Sequence, residues 1–493
     1  MIKKLIIILV YFFIPELIFA NFDFNKNCNN TFKLILDLQF DEAIKFTKVE
    51  KQINPDNKLV YYFDNYVYFL KTIASDSEND YLIFKNKFDF NYNKLKKANQ
   101  NSPYFLYTQA DIHFQSAILS YKFKDFILAS YHFYKAYKLI SLNFKKHPDF
   151  YQNYKLTGSF NLLLASIPQN YEWFKNLFNI NGNINLGIKE LEYYYLQSKN
   201  SAYNTESIIL LSFAYQHFLS NNKRAYIFLN HTNQINLQNP LICFLYANSC
   251  VKVDKNNEAI AVSENCLKNS KIYTIKYLYY FLGIMKLNRL DNDADIYFFK
   301  YLDLYKGKNY IKSSYQKLAW YYLINKDYLK YNIYFNKVKQ LGFVNTEADK
   351  QAYIEANQSV KINKELLKAR LLFDGGNFAE AEQLLLKNSD ISNNKSKKDN
   401  IEYLYRLARI FHKKNRLEEA KQQYELVISK GSELPYYYAK NSALQLALIY
   451  ENENDFKYSD FYFHKSLSIK SNEYKNSINF NAKSGLNRIH LQN

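Results

Sequence analysis

The sequence predicts an all-α protein, an α-solenoid of stacked antiparallel helix pairs. The chain has 493 residues but only 10 glycines and 7 prolines. In an average protein, glycine and proline together make up about 12% of the residues. This scarcity disfavours folds that need many tight turns, such as β-sandwiches and propellers. Apolar residues make up 48% of the chain, so disorder is not expected. The length exceeds what one compact core holds, which favours several domains or a solenoid.

The C-terminal part of the chain carries an internal repeat with a period of 39 residues. A Leu-Ala-x-x-aromatic pattern begins at Leu407 and again at Leu446, and an earlier copy surrounds Ala369. Small and large apolar residues recur at spacings of three, four and seven, which marks one buried helical face. The polar turn inside each copy is short, so its two helices run antiparallel. A single pair cannot bury its apolar face, but stacked pairs can.

The spacing within each copy resembles the tetratricopeptide repeat. Counting from Ile401, the motif positions 7, 8, 11, 20 and 24 are occupied by Leu407, Ala408, Phe411, Ala420 and Tyr424. The resemblance implies helix–turn–helix units of about 34 residues, with five residues added between units here. It covers about 365–470 most closely, and weaker copies extend over 275–342. By the same count Gly342 and Gly431 fall at position 31, where a left-handed helix cap suits glycine.

The N-terminus has the pattern of a signal peptide. Lys3 and Lys4 precede an apolar run over residues 5–14, and Ala20 precedes Asn21. The run is shorter than the about 20 residues that a membrane span needs, so we expect cleavage rather than an uncleaved anchor. The mature protein is then exported, to the periplasm or outer membrane or by secretion. The chain divides into a signal peptide (1–20), an N-terminal helical region with degenerate repeats (21–145), an irregular helical connection (146–200), degenerate repeats (201–345) and C-terminal repeats with a capping helix (362–493).

The stretch 147–192 departs from the repeat. It carries Pro148, Trp173, Gly182 and Gly187, and it resembles a segment of exported bacterial tetratricopeptide-like proteins of unknown function. The resemblance implies a shared helical domain and supplies no catalytic residue. Two interpretations stay open: an irregular connection anchored by a tryptophan, or the pocket of an enzyme or of a carbohydrate- or peptide-binding module. Ile188 stands where a phosphate-binding loop needs lysine, so that loop is rejected.

The sequence contains no recognisable catalytic motif. None of the eight histidines is four residues from another, and neither Gly-x-Ser-x-Gly nor Gly-x-Gly-x-x-Gly occurs. We therefore expect no catalysis, no cofactor and no metal. The net charge of +19 comes from lysines scattered along the chain, which indicates solvated faces rather than a nucleic-acid site. The expected partner is a protein or peptide, with association at the cell envelope.

Tetratricopeptide arrays usually bind partners through a concave face built from the first helix of each pair, at positions 2, 5, 9, 12 and 13. The resemblance implies that this groove holds an extended peptide, a carboxylate or a sugar face; the alternative is a solvated face. The lysines and asparagines of the chaperone-binding branch do not recur here, so that function is not carried over. The count places these side chains in the groove: Trp320, Arg370, Phe373, Tyr405, Arg409 and His412.

Four cysteines occur, and no two form a Cys-x-x-Cys pair: Cys28, Cys243, Cys250 and Cys266. In an antiparallel pair, positions whose numbers sum to about 31 face each other, and Cys243 and Cys266 take positions 4 and 27. We expect these two to be close enough to form a disulfide in an oxidising compartment. Buried thiols are the alternative.

Overall fold

The computed structural model describes residues 22–167, 180–219, 221–233, 238–268, 275–358, 362–393, 396–471 and 473–490. These residues form 24 α-helices and one short 3₁₀ helix, and no strand occurs among them. Successive helices pack as neighbouring pairs, so the predicted all-α, solenoid-like fold is confirmed. The predicted signal peptide lies outside the described residues. No helix in the described ranges combines the length and the apolar character that crossing a membrane requires.

The chain forms two compact units, residues 1–249 with 266–275, and residues 250–265 with 276–493. The helices of the first unit are α1 (Lys26–Leu36), α2 (Phe40–Ile53), α3 (Leu59–Ser75), α4 (Glu78–Leu95), α5 (Pro103–Lys122), α6 (Phe126–Lys146), α7 (Asn153–Ala165), α8 (Ile184–Ser198), α9 (Asn204–His217) and α10 (Asn222–Asn233). Two helices cross the division along the chain, α11 (Pro240–Lys252) and α12 (Asn256–Lys268).

The second unit continues the same arrangement of helix pairs. Its helices are α13 (Tyr277–Asn288), α14 (Ala294–Leu304), α15 (Ile311–Ile324), α16 (Tyr328–Gln340), α17 (Glu347–Asn357), α18 (Lys364–Asp374), α19 (Phe378–Lys387), α20 (Lys397–Lys413), α21 (Leu417–Gly431), α22 (Tyr437–Asn452), α23 (Phe456–Ser468) and α24 (Lys475–His490). The stretch predicted as an irregular connection, 146–200, contains α7 and α8 and belongs to the first unit. The finer predicted boundaries remain predictions.

One turn geometry joins the two helices in eight of the described pairs. A single residue adopts φ between 57° and 77°, and the amide of the next residue bonds back into the last turn of the helix. Arg416 N, for example, donates to Phe411 O at 2.9 Å. This closure satisfies helix carbonyls that would otherwise lack partners and reverses the chain at once. The residues with positive φ are Leu38, Lys124, Asp254, Leu290, Lys326, Gly376, Asn415 and Asn454.

The small residues of the repeat lie where the two helices of a pair meet. The anchor alanines Ala369, Ala408 and Ala447 are fully buried, as the small-residue pattern predicts. Their partners on the second helices are fully buried as well: Ala381, Ala420 and Ser459. Ala369, Ala381, Ala408 and Ala420 lie in the largest apolar cluster of the second unit, and Ala447 lies in a neighbouring one.

The two glycines predicted to cap second helices behave differently. Gly342 has φ of +80° just after α16, which confirms the prediction for this residue. The prediction for Gly431 is wrong, because this residue is the last of α21 and is not among the described glycines with positive φ. A Cβ at Gly431 would lie 3.3 Å from both the Ala439 Cβ and the Ile401 Cγ2. Its small size therefore allows close packing between helices.

Candidate binding groove

A cavity of about 310 Å³ lies among the first helices of the pairs in the second unit. Helices α13, α15, α18, α20 and α22 contribute side chains to its wall, and α17 lines it as well. This is the part of the unit where the tetratricopeptide-like count places the groove. We call this cavity and its wall the groove. The residues on which its chemistry depends are Tyr280, Lys317, Glu355, Arg370, Glu402 and Tyr437.

Two cations in the wall of the groove lie over one buried aromatic ring. The Lys317 Nζ lies 3.6 Å from the centroid of the Trp320 ring, and the Arg370 guanidinium lies 4.9 Å from it. The indole Nε1 of Trp320 donates a hydrogen bond of 2.7 Å to Glu355 Oε1, which fixes the plane of the ring. Cations over a tryptophan face are attracted by its quadrupole, so the ring holds both charges at the cavity.

A second layer of the same kind follows along the array. The Arg409 guanidinium lies 4.8 Å from the centroid of the Phe373 ring, and its Nη1 donates to the Tyr405 hydroxyl at 2.9 Å. Phe373 comes from α18 and Arg409 from α20, so each arginine covers a ring on the preceding first helix. This alternation of ring and guanidinium joins successive helix pairs of the second unit.

The carboxylates in the wall of the groove already have partners. Glu402 accepts from the Arg406 Nη2 at 2.7 Å, and Glu473 accepts from the Gln358 Nε2 at 2.8 Å. Lys317 and Arg370 lack comparable ion pairs among the described residues: Lys317 Nζ donates to the amide oxygen of its neighbour Gln316 at 2.8 Å, and the carboxylate paired with Arg370 is 3.8 Å away. Lys317 and Arg370, which also hydrogen-bonds Tyr474, are therefore open to an anionic ligand, together with Lys398 elsewhere in the wall.

Burial and the nearby positive charge of Arg370 lower the pKa of Lys317 to about 7. The protonated form of the amine is destabilised because it loses solvation and lies near another positive charge. An anion in the groove would offset the positive charge of Arg370 and so raise the pKa of Lys317. The protonation state of this lysine thus depends on what the groove contains.

The structure brings the six predicted groove residues together only in part. Arg370 lines the cavity, while Arg409 and His412 are half-buried. The His412 Nδ1 lies 3.4 Å from the Tyr424 hydroxyl and does not line the cavity.

Three of the six predicted groove residues are buried. Trp320, Phe373 and Tyr405 are 2%, 7% and 0% exposed. Their rings pack beneath guanidinium groups, and this removes them from solvent. Trp320 lies against Arg370, which lines the cavity, whereas Phe373 and Tyr405 lie against Arg409, which does not.

Sequence reasoning missed several residues of the groove. The repeat count puts Glu402 at position 2, so completing the count would have found it. Lys317 falls at position 6, which is not among the positions expected to face a ligand. Tyr437 and Tyr438 precede the first position of their repeat, and only their side chains' placement in the structure shows that they line the cavity.

The glycines of the stretch 147–192 serve helix packing. A Cβ at Gly187 would lie 2.8 Å from Gly158 O, and a Cβ at Gly158 would lie 3.0 Å from Gly187 O. Helices α7 and α8 therefore cross in close contact at this pair. Trp173, the predicted anchor of the alternative pocket, lies outside the described residues.

A buried charged cluster that no sequence motif indicates lies in the first unit. Lys155 Nζ is 2.7 Å from both Asp111 Oδ2 and Glu206 Oε1, and all three side chains are at most 5% exposed. The Tyr62 hydroxyl donates to Asp111 at 2.6 Å, and the Tyr66 hydroxyl donates to Glu206 at 2.5 Å. The cluster joins α3, α5, α7 and α9. Asp111 Oδ2 and both carboxylate oxygens of Glu206 are engaged within the protein, so we assign the cluster to the core rather than to a ligand site.

The structure places the predicted cysteine pair together. The Cα atoms of Cys243 and Cys266 are 6.6 Å apart, within the range of disulfides, and their sulfur atoms lie within bonding distance. Cys28 and Cys250 are buried and do not belong to this disulfide.

We expect peptide mapping without reduction to recover a Cys243–Cys266 linkage from protein made in an oxidising compartment. Closing a loop of 23 residues should stabilise the chain by about 3 kcal/mol, so Cys243→Ser should lower the unfolding midpoint. Cys28→Ser is the matched control and should leave the linkage intact. Recovery of both Cys243 and Cys266 as alkylated free thiols would overturn the pairing.

No protein-family model matches the chain, and no curated protein matches it. Among the residues that the structure describes, no group of three or more His, Cys, Asp or Glu side chains is arranged to hold a metal ion.

Proposed function

We propose that this chain is an exported tetratricopeptide-like scaffold, without catalysis of its own, that binds an extended segment of a protein partner in the groove of the second unit. The observation that carries the proposal is the pair of cations, Lys317 and Arg370, held over the Trp320 ring at the cavity. Because the carboxylates around them are engaged, the recognised group is an acidic side chain of the partner. The N-terminal sequence pattern supports export, with the periplasm or outer membrane as destination.

The rest of the wall suits a peptide rather than an isolated anion. Leu367 and Tyr280 supply apolar surface, and Ser313, Gln316 and Asn363 supply polar side chains. An extended peptide presents both apolar side chains and backbone hydrogen-bonding groups, which such a wall can match. The preferred segment therefore carries Asp or Glu next to an apolar residue.

Peptides selected from a random displayed library against the complete chain should be enriched in this acidic–apolar combination. We expect Arg370→Ala and Lys317→Ala to weaken their binding about ten-fold each or more, since each substitution removes one charge-assisted contact. Bound peptide should also slow acylation of the Lys317 amine near pH 7, because an acidic group raises its pKa and covers it. Fluorescence anisotropy measures binding, and mass mapping measures acylation.

Lys430→Ala is the matched control, since Lys430 is an exposed cation at the end of α21. It should leave peptide binding and Lys317 acylation unchanged. Peptides that bind the Arg370→Ala and Lys317→Ala variants as tightly as the parent, and that leave Lys317 acylation unaltered, would refute the groove as the binding site.

A further inference from the structure

Helix α6 has a largely apolar outer surface that no other described helix covers. The helix spans 21 residues, and its buried side chains form a single stripe: Ala129, His132, Ala136, Ile140 and Asn143. On the opposite side, successive positions at spacings of three and four form what we call the outer stripe: Ile127, Tyr131, Tyr134, Lys138, Leu142 and Lys145. The stripe runs nearly the full length of the helix, about 30 Å at the rise of an α-helix.

The exposure of this surface is unusual for apolar side chains. Ile127 is 88% exposed, Phe126 57% and Tyr131 58%. Tyr121, at the end of α5, is 69% exposed, and its ring lies 5.7 Å from that of Phe126. The apolar surface therefore extends across the α5–α6 turn. A contiguous patch of this kind marks an interaction surface.

All charged side chains of α6 that ionise fully at neutral pH are positive, and they lie in the C-terminal part of the helix. The helix contains four lysines, Lys135, Lys138, Lys145 and Lys146, and no aspartate or glutamate. All four lie C-terminal to Tyr134, whereas the most exposed apolar side chains lie at the N-terminal end. Asp125, the residue before the helix, accepts from the Leu128 amide at its N-terminus. The most exposed apolar side chains thus lie at the N-terminal end of the helix, and all of its lysines lie in the C-terminal part.

We infer that α6 docks the protein on an anionic lipid bilayer, with Phe126, Ile127 and Tyr131 in the interfacial region and the lysines on the lipid phosphates. A bilayer offers apolar chains directly beneath a continuous layer of anionic headgroups, so a helix lying on it finds a partner for the apolar side chains and for the lysines. Tyrosine favours this interface, because its ring is apolar and its hydroxyl polar. A nucleic acid offers phosphates but no partner for the Ile127 side chain.

Flotation with vesicles tests the inference. The complete chain and the chain lacking residues 1–20 are both used, so that binding by the apolar run near the N-terminus is measured separately. We expect binding to vesicles of phosphatidylcholine with phosphatidylglycerol, and binding at least about ten-fold weaker to phosphatidylcholine alone. In both forms of the chain, Ile127→Asp should reduce binding about ten-fold or more, because a carboxylate resists insertion and is repelled by the anionic surface.

Two matched controls separate this surface from general properties of the chain. Leu329→Asp makes the same change in charge at a side chain that is 74% exposed on α16, and it should leave vesicle binding unchanged. The double variant Lys138→Glu with Lys145→Glu should lose most binding to anionic vesicles, whereas Lys387→Glu with Lys457→Glu, at exposed positions in the second unit, should retain it.

Three outcomes would overturn the inference. The first is absence of vesicle binding by the chain without residues 1–20. The second is equal loss of binding in the Ile127→Asp and Leu329→Asp variants. The third is binding of a DNA duplex as tightly as vesicles in the same buffer, with a dependence on Lys138 and Lys145 but not on Ile127. That result would assign the surface to nucleic acid. Tests of the groove use other residues, so either proposal can fail alone.

Discussion

Replacing Ala408 by arginine is expected to unfold the C-terminal repeats locally. Ala408 is fully buried where α20 meets α21 and lies within the largest apolar cluster of the second unit. The arginine side chain has no space there, and its charge has no described partner at that position. Overpacking costs about 1–3 kcal/mol, and an uncompensated buried charge adds about 3–5 kcal/mol. Thermal unfolding should therefore begin at a markedly lower temperature, and amide exchange should accelerate across 364–431.

Ala379→Arg provides the matched control. Ala379 is exposed in the first turn of the neighbouring helix α19, so the same substitution should change the free energy of unfolding by no more than about 0.5 kcal/mol. A melting curve for Ala408→Arg that coincides with that of the parent would show that the helix register is wrong.

Replacing Lys155 by methionine is expected to destabilise the first unit by about 3–5 kcal/mol. The substitution leaves Asp111 and Glu206 buried without their shared cation. Burial raises the pKa of Asp111 even in the parent, where the charge of Lys155 opposes this effect. Urea unfolding at pH 7 measures the loss, and amide exchange over residues 22–217 assigns it to the first unit.

The pKa shifts in this cluster determine how the stability of the parent and of Lys155→Met changes with pH. Burial disfavours the charged form of Lys155, but the two carboxylates outweigh it and raise its pKa. Its stabilising contribution is therefore complete below the ordinary lysine pKa and is lost only as the pH rises through the folded-state value. In Lys155→Met, a carboxylate of the folded state binds a proton more tightly than in the unfolded chain. The difference in stability between variant and parent should therefore shrink between pH 7 and pH 5.

Two further variants complete this test. The triple variant Asp111→Asn, Lys155→Met, Glu206→Gln should recover most of the lost stability, because no charge is then buried and the tyrosine hydroxyls keep oxygen acceptors. Lys122→Met breaks a 2.6 Å pair with Asp76 that is partly exposed, and it should cost less than about 1 kcal/mol. A Lys155→Met loss no larger than that of Lys122→Met would contradict a buried ionic role.

The sequence predicted the elements that depend on local pattern. The spacing around Ala369, Ala408 and Ala447 gave the fold class and the burial of the small residues, because each helix shows its buried face as a periodicity. The same periodicity led to the pairing of Cys243 with Cys266 and placed Arg370 at the groove.

Contacts between distant helices could not be predicted in this way. The buried cluster of Lys155 joins side chains from four helices, with Asp111 and Glu206 nearly a hundred residues apart in the sequence. No residue of the cluster is marked by its neighbours along the chain. The groove shows the same limit, since the repeat count places Trp320 in the groove, but Lys317 and Arg370 cover its ring. Whether a side chain faces solvent or a neighbour depends on how successive pairs stack.

The turns within the helix pairs bear on how cooperatively the protein unfolds. Of the eight residues that adopt the left-handed conformation there, only Gly376 is a glycine. An L-residue in this conformation costs about 1–2 kcal/mol, somewhat less for asparagine. Each helix pair is thereby less stable in isolation, and contacts with adjacent pairs must compensate. In a one-dimensional stack, weak units with strong neighbour coupling melt together rather than one at a time. The scarcity of glycine thus favours unfolding in large blocks over fraying of single pairs from the ends.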